Sequence, residues 1–543
     1  MIDQLRTQLA GALQQLDIEP DDMVLKRPKR AAHGDLASNA PLVYAKQAGR
    51  PPMQLAEALK ERLTLDPKLI AKVDVAPPGF LNFTVADQFL RGQLLTALDQ
   101  AGDYGKSGIG AGQRALVEFV SVNPTGPLTV GHGRGAILGD AVSNILAWNG
   151  YHVEREYYYN NAGRQMRLLG ESVQARYREL LGLEASFPED GYEGDYIREI
   201  AQALIAGNGV DQADADDSKP FTAAAERTIF EDIKSTLKQL GVTLDSYFNE
   251  NRLYESGALE NVLTKLREHQ LAYEQDGATW LKATALGRAD DRVLVKQTGE
   301  PTYRLPDIAY HAHKLDRGFD LIVDVFGADH QDTYPDVLAG LRGLGYDTTH
   351  IRVLIHQFVT LTQGGQTVKM STRKATFVTL EELIQEVGPD VARYFFIMRT
   401  MDSHLQFDLQ LARKSSDENP VYYLQYAHAR MVNVAHHAAA SGHVLDPGRA
   451  QLRLLTLPEE RALMVTLWRF PEVVSQVLDS LEPQTVAAYL QELAADYHRY
   501  YAAGRVVTKD EALTAARLVL TAACRQTMAN GLAILGVAAP DRL

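Results

Sequence analysis

The chain has 543 residues, a formal net charge of −14 and a single cysteine, Cys524. That length gives room for several domains around a sizeable core. The acid excess excludes indiscriminate nucleic-acid binding, which needs clustered Lys and Arg, and one cysteine excludes intrachain disulfides and cysteine-built zinc clusters.

The first nine residues, M-I-D-Q-L-R-T-Q-L, lack the apolar core of a signal peptide, and no run has the uninterrupted apolar length needed to span a bilayer. A cytoplasmic protein with no membrane partner is the expectation. Leu5, Leu9, Leu13 and Leu16 form a helical stripe, residues 36–48 and 53–63 read as helices, and residues 73–85 read as strands around the turn Pro77-Pro78-Gly79. The cluster Lys26, Arg27, Lys29 and Arg30 offers a local basic face. Residues 102–112, with five glycines, read as a linker that closes this opening unit.

Next comes an apolar run at residues 115–122, a Pro/Gly-rich loop, and a helix carrying Ile137, Ala141, Ile145 and Trp148 on one stripe with Leu138, Val142 and Leu146 beside it. Gly150 stops the helix and residues 152–159 read as a strand, so the whole is a parallel crossover. The loop ends on the helix N-terminus, where unpaired N–H groups and the helix dipole favour anions. Gly131, Gly133 and Gly135 let a ligand approach the backbone, and Thr129 and His132 add hydrogen-bonding groups. Three readings fit this stretch alone. Gly131-His132-Gly133-Arg134-Gly135-Ala136 satisfies G-x-G-x-x-G/A, with Glu154 or Glu156 placed for a ribose, although residues 123–130 intervene between strand and glycines. Thr129-Val130-Gly131-His132 is a variant of the HIGH signature of class I aminoacyl-tRNA synthetases. A plain glycine-rich turn is the third.

Residues 165–285 read as mostly amphipathic helix, an insertion between two halves of a sheet, with a polar acidic break at 211–219. Sheet signals resume at 292–296, 320–326 and 351–361, with helices at 307–315 and 335–344 between them. Residues 362–367, including Gly364-Gly365, turn the chain and deliver Val368-Lys369-Met370-Ser371-Thr372-Arg373-Lys374. Three cations and two hydroxyls there suit closure over a polyphosphate, whereas a solvated basic hairpin is the blander alternative. Position after the last sheet strand, in the same core as Thr129-His132, favours the former. Helical patterns at 381–387, 390–399, 421–440, 459–481, 483–503 and 510–535 fill the rest. Cys524, among Ala522, Ala523 and Met528, reads as buried and inert. His311 and His313, two apart on a helix, do not form a metal pair; His436-His437 reads as solvent-facing, and Tyr497, Tyr500 and Tyr501 as packing residues.

Together these stretches resemble a class I aminoacyl-tRNA synthetase of the bacterial arginyl type. The resemblance is carried by His33-Gly34-Asp35 with Pro78-Gly79-Phe80-Leu81-Asn82-Phe83, Asn123-Pro124-Thr125-Gly126-Pro127 through Gly135, and Asp276-Gly277-Ala278-Thr279-Trp280. It continues through Asp307-Ile308-Ala309-Tyr310-His311, Gly327-Ala328-Asp329-His330, Asn419-Pro420-Val421-Tyr422-Tyr423 and Gln425-Tyr426-Ala427-His428-Ala429-Arg430. It spans nearly the whole length. Thr129 departs from the first histidine of the signature, Thr372 from the second lysine of KMSKS, Asn161 from a common aspartate and Ala375 from a usual glycine.

The resemblance implies an α/β fold: a Rossmann-like parallel-sheet catalytic core at 109–380 with its helical insertion at about 165–285, a small α+β N-terminal tRNA-binding domain at 1–108, and an all-α anticodon-binding domain at 381–543. It implies arginine–tRNA ligase activity with ATP, magnesium accompanying the ATP, and an arginine-accepting tRNA as partner, on a monomer with no dedicated metal site. Thr129, Gly131 and His132 are assigned to ATP on the helix side, Lys369, Ser371 and Lys374 to the closing loop, and Gly327, Asp329 and Met370 to the nucleotide. Asp307, Tyr303, Glu118 and Gln331 are assigned to the guanidinium and its surroundings, Asn123 to the other end of arginine, and Tyr426, His428 and Arg430 to tRNA. Taken alone, Asp307 also suits a helix cap. The acidic Tyr303/Asp307 pair and the lone cysteine disfavour lysine and cysteine enzymes of the class, and a catalytically silent tRNA-binding relative is the alternative from outside it.

Overall fold

The computed structural model describes residues 1–21, 25–28, 33–208, 218–368 and 378–543. At its centre is a five-stranded parallel sheet in the order Ile351–His356, Leu321–Gly327, Arg114–Glu118, His152–Tyr159, Ser246–Asn249. Successive side chains of a strand point to opposite faces. Ala115 and Val117 accordingly join one core with the helix Val130–Trp148, while Leu116 joins another with the helices Ala258–Glu268, Arg304–Asp316 and Tyr334–Gly343. Each fully buried aliphatic side chain contributes about 1.5–3 kcal/mol to this sandwich.

The predicted strand at 115–122 ends early. Val120 and Ser121 adopt left-handed backbone conformations, with φ of +68° and +46°, and turn the chain away from the sheet after Glu118. The predicted strand at 152–159 and the predicted helix after the loop both form. The strand order reverses direction on either side of Arg114–Glu118, so the switch point opens at the carboxyl ends of Arg114–Glu118 and Leu321–Gly327.

The insertion, expected to be mostly helical, also carries strands. Helices Gly163–Leu180, Asp195–Asn208 and Lys219–Gln239 pack together, but the chain then adds Ser246–Asn249 to the sheet edge. It next builds a separate antiparallel sheet from Ala272–Gln275, Ala278–Leu281 and Arg292–Val295. The run at 292–296 therefore belongs to this small sheet. The run at 351–361 splits as well, because Val359–Gln363 pairs in parallel with Leu405–Asp408, outside the central sheet.

The opening unit has a four-stranded antiparallel sheet in the order Leu25–Lys26, Leu36–Ser38, Phe80–Val85, Ile70–Ala76, backed by helices. It docks on the helical tail. Arg461 grips Asp35 in a fork at 3.1 and 2.8 Å and reaches Asp87 at 3.0 Å, Arg27 pairs with Glu472 at 2.7 Å, and Tyr104 donates to the Leu467 carbonyl at 3.1 Å. In the tail the expected helix 459–481 is broken into Pro458–Trp468 and Phe470–Ser480, because Pro471 lacks the N–H that continuation would require. One helix, Glu511–Leu535, is long and apolar enough by length and composition to cross a bilayer, although Arg517 and Arg525 interrupt its apolar run. Within this fold 72% of its most apolar window is buried. Cys524 lies inside that helix, fully covered.

Two buried guanidinium groups tie these parts to the signature helix. Arg134 donates to the carbonyls of Gln357 (2.7 Å), Ser403 (2.9 Å) and Thr400 (2.9 Å). Arg393 pairs with Asp140 at 2.5 Å and donates to the carbonyls of Leu535 (3.0 Å) and Leu240 (2.8 Å). Removing one partner of a buried pair strands the other charge. Arg393→Leu is expected to destabilise the protein by about 3–5 kcal/mol, read as a lowered midpoint of urea unfolding, and the further change Asp140→Asn should recover part of that loss.

Candidate active site

Thr129 caps the helix Val130–Trp148. Its hydroxyl accepts the His132 N–H at 3.4 Å, and its own N–H donates to His132 Nδ1 at 3.1 Å, so an imidazole completes a reciprocal capping box. A nitrogen that accepts a backbone N–H carries no proton, so the neutral ring presents Nε2–H. Burial pushes His132 down to about 4, against the pull of Asp329. Near neutrality it is therefore an uncharged donor beside the unpaired N–H groups of a helix N-terminus, a place suited to phosphate.

The three glycines divide. Gly131 is open: a Cβ there would have Thr129 Oγ1 as its nearest neighbour, at 3.7 Å. A Cβ at Gly133 would meet Leu380 Cδ1 at 2.5 Å, and one at Gly135 would meet His356 Nε2 at 2.9 Å. Those two glycines admit protein rather than ligand, which corrects the expectation for them. The dinucleotide reading fails on the same geometry, because the glycines lie within the helix. Its candidate ribose acids are already engaged: Glu154 and Glu156 both pair with Arg317, and Glu156 also accepts from Tyr310 at 2.8 Å.

Lys369, Met370, Ser371 and Lys374, with the departures Thr372 and Ala375, lie outside the described residues. Their flanks are informative. The Val368 N–H donates to the Leu361 carbonyl at 2.9 Å, and the Leu380 N–H donates to the Leu128 carbonyl at 2.8 Å, with Thr379 bridged to Thr129. The chain thus returns from that segment directly onto the signature turn. Gly327 ends the strand beside Glu118's, and the Asp329 carboxylate folds over it, 2.5 Å from where a Cβ would stand. His356, the register partner of Gly327, faces Gly135 and is pushed to about 4 by burial and then by the Arg134 charge. Sequence reasoning missed it; its place as the last residue of a sheet strand was the available signal.

Across the crevice lies an acidic cup. Asp307 sits half-buried in the first turn of Arg304–Asp316, and burial raises it to about 6 with the charges of Glu118 and Glu250 adding to the effect, while His311 and His330 oppose it. Glu118 is buried and accepts from Ser121 Oγ at 2.8 Å and from Lys314. Glu250, which the sequence reading did not single out, is buried with neutral donors only: Tyr158, Asn160 Nδ2 at 2.8 Å and Tyr254 at 3.3 Å. Among the described residues neither Asp307 nor Glu250 has a salt bridge. Asn123 closes the near wall, its Oδ1 accepting the Asn160 N–H at 2.9 Å and its Nδ2 donating to Gln165 at 3.3 Å. Asn161, at the departure from aspartate, donates to Glu226 at 2.7 Å and accepts from Asn249 and Asn251, at 3.1 and 2.8 Å. An aspartate there would set two carboxylates face to face.

Not every expected residue is brought together. Tyr303 overhangs the rim with 84% of its surface exposed, and Gln331 is exposed after the turn Ala328–His330. In the tail, His428 is buried and bonds the Pro540 carbonyl at 2.9 Å, so it holds the chain's last residues and is not available to a nucleic acid. Tyr426 and Arg430 do lie together at the surface, lining a cavity of about 480 Å³ with Tyr422, Tyr501 and the C-terminal Leu543. The Arg430 guanidinium stacks 4.4 Å above Tyr426 and 4.8 Å above Tyr501. Tyr497 and Tyr500 are buried as expected, but Tyr501 is exposed in this cluster. His436 and His437 face solvent, and His311 and His313 point to different surroundings.

Comparison with known proteins accounts for nearly the whole chain. Residues 93–399 match the family model for the catalytic domain of class I (R) tRNA synthetases, residues 3–85 that for the arginyl tRNA synthetase N terminal domain, and residues 424–543 that for the DALR anticodon binding domain. The sequence is 49% identical to the arginine–tRNA ligase of Salinibacter ruber over the full length of both chains. It is 49% identical to that of Desulfotalea psychrophila, over 95% of this chain and 94% of the relative. The fold is similar to that of Thermus thermophilus arginyl-tRNA synthetase, with a TM-score of 0.78, 24% identity and full coverage of both chains.

The His132 geometry has a direct readout. Its C2 proton resonance is expected to stay at the neutral position from pH 8 to pH 5 and to move only near pH 4. The unfolded chain takes up that proton first, near its ordinary value of about 6.5, so this residue's contribution to stability falls as pH drops from there towards 4. A midpoint near 6.5 in the folded protein would overturn the assignment.

Proposed function

This chain belongs to the arginyl-tRNA synthetase family, and from that premise we infer how its cleft works. The chain is an arginine–tRNA ligase: it activates L-arginine with ATP and esterifies the terminal adenosine of its tRNA. The observation that carries the reading at the level of residues is a neutral His132 at the N-terminus of the helix after Arg114–Glu118, with the buried Glu118 ending that strand and Asp307 electrostatically coupled to it.

In the first step an oxygen of the arginine carboxylate attacks the α-phosphorus of ATP. The bond to the β-phosphate oxygen breaks, and arginyl-adenylate and pyrophosphate result. The nucleophile is already an anion, so no general base is needed, and rate comes from alignment and from donors that meet the growing charge. We assign His132 Nε2–H and the open backbone at Gly131 to the phosphates, and Gly327 and Asp329 to the adenosine. Thr129 acts through the cap that orients His132. Lys369, Ser371 and Lys374, with the backbone at Met370, are assigned to the segment that returns onto the signature turn, where they would cover the leaving group. Magnesium enters as part of the Mg–ATP substrate, held chiefly through phosphate and water. In the second step a ribose hydroxyl of the tRNA attacks the arginyl carbonyl carbon and AMP leaves.

The guanidinium stays charged at every relevant pH and its planar fork favours carboxylates. Asp307 and Glu250 supply negative charge that no side chain of the described residues balances by a salt bridge, Glu118 forms the floor of the cup, and Asn123 is placed for the other end of arginine. Tyr303 and Gln331 stand at the rim as residues that would meet the bound amino acid. We read residues 1–108 as a tRNA-binding domain, 109–380 as the catalytic domain and 381–543 as the anticodon-binding domain, with Tyr426 and Arg430 offering flat faces to unpaired bases. We also read the enzyme as a cytoplasmic monomer; sedimentation at about its chain mass of 60.0 kDa would agree.

Two results test this reading. Pyrophosphate exchange run with tRNA present against all twenty amino acids should respond to arginine alone; tRNA binding without exchange or charging would favour a silent relative. Asp307→Ala should weaken arginine use by about 2–5 kcal/mol, seen in kcat/KM for arginine. In the unsubstituted enzyme that quantity should rise with pH up to about 6 and then level, since only the ionised Asp307 pairs with the guanidinium.

A further inference from the structure

Beneath the cup lies a second set of charges that the reaction itself does not touch. Lys314 is fully buried three residues beyond His311 on the helix that carries Asp307. Its ammonium donates to Glu118 and, at 2.6 Å, to Asp324 Oδ1. His311 donates from Nδ1 to the Asp307 carbonyl at 2.8 Å, and its Nε2 meets Asp324 Oδ2 at 3.0 Å. Both nitrogens face acceptor oxygens, so the ring is clamped between the Asp307 backbone and the Asp324 carboxylate. Glu118, His311 and Asp324 bring their ligand atoms within 4.8 Å of one another, a spacing that could hold a metal ion. The ammonium of Lys314 takes that part instead.

Lys314 is shared by Glu118 and Asp324, whereas Asp307 and Glu250 have no salt bridge among the described residues. Burial alone would raise the Asp324 carboxyl, but Lys314 and then His311 outweigh it and hold it low, so Asp324 stays ionised beside the ammonium. The same ammonium fixes the end of Glu118, whose other oxygen is held by Ser121 on the turned segment after the strand. A buried carboxylate without such a partner would protonate or turn away.

We propose that Lys314 is a positioning residue for arginine: it acts as a built-in counter-cation that fixes Glu118 beneath the cup and reserves Asp307 and Glu250 for the substrate's guanidinium. This rests on the arginine-ligase reading. It adds a residue that never contacts substrate yet sets how strongly arginine is held.

The test compares Lys314→Met with the charge-balanced double variant Lys314→Met/Asp324→Asn, by pyrophosphate exchange with tRNA present. The single variant strands two carboxylates and is expected to lose stability. The double variant restores the charge count but leaves Glu118 without its ammonium. Its KM for arginine should rise tenfold or more while its KM for ATP stays within twofold of the unsubstituted enzyme. Equal changes in both constants, an unchanged KM for arginine, or a double variant that does not fold would each overturn the proposal and leave Lys314 a purely structural role. Exchange by the unsubstituted enzyme keeps the two readings apart, since its failure to respond to arginine would count against the ligase reading instead.

Discussion

The strand Arg114–Glu118 lies in the middle of the sheet, paired on both edges, and the constraint of ending it there governs the cleft. A central parallel strand has no solvated edge, so its last side chain must either be apolar or bring a partner with it. Here it is Glu118, and the partner is Lys314 from a helix lying between two distant segments of the chain. The left-handed turn at Val120 and Ser121 then sends the backbone out towards the Pro/Gly-rich loop, with the Ser121 hydroxyl returned to Glu118. Strained backbone of this kind persists only where surroundings over-determine it, and it commonly marks a functional site. Glu118 is thus both the end of the core and the floor of the cup.

Much of this was legible in the chain. The crossover from strand to loop to helix to strand follows from an apolar run, a Pro/Gly break and a 3.6-residue stripe, and all four parts form. The places that misled share a cause, which is that short elements take their identity from neighbours. Ser246–Asn249 and Leu405–Asp408 are four residues each, too brief for periodicity to declare them, and they are strands because an edge was waiting. Residues 351–361 looked like one strand and are parts of two sheets, with Gln357 and Phe358 belonging to neither ladder. At the site, motif spacing singled out Asp307 and His132 as candidates but could not rank burial. It therefore offered His428 to a nucleic acid although the fold spends it on Pro540, and it overlooked Glu250, which lies in no motif and is placed only by the strand that precedes it.

Arginine side chains recur as struts, and their geometry explains why. A guanidinium donates in a fixed plane to several acceptors at once. Arg134 uses this to gather three carbonyls from two separated loops, and Arg393 to join the signature helix, the insertion and the end of the last long helix. Lysine could supply the charge but not the fork. Both struts converge on the helix whose first turn carries His132, so the position of that imidazole is referenced to the insertion and the tail as well as to its own cap.

The docking of the opening unit on the tail bears on the order in which the molecule assembles during synthesis. Arg27 stacks over Trp468, Tyr104 over Phe470, and Asn530 Nδ2 donates to the carbonyls of Ala101 and Tyr104. The surface that emerges first from the ribosome is therefore completed by residues that emerge among the last. For most of translation that apolar face stays uncovered, and chaperones or slow elongation have their longest window of influence on this one seam.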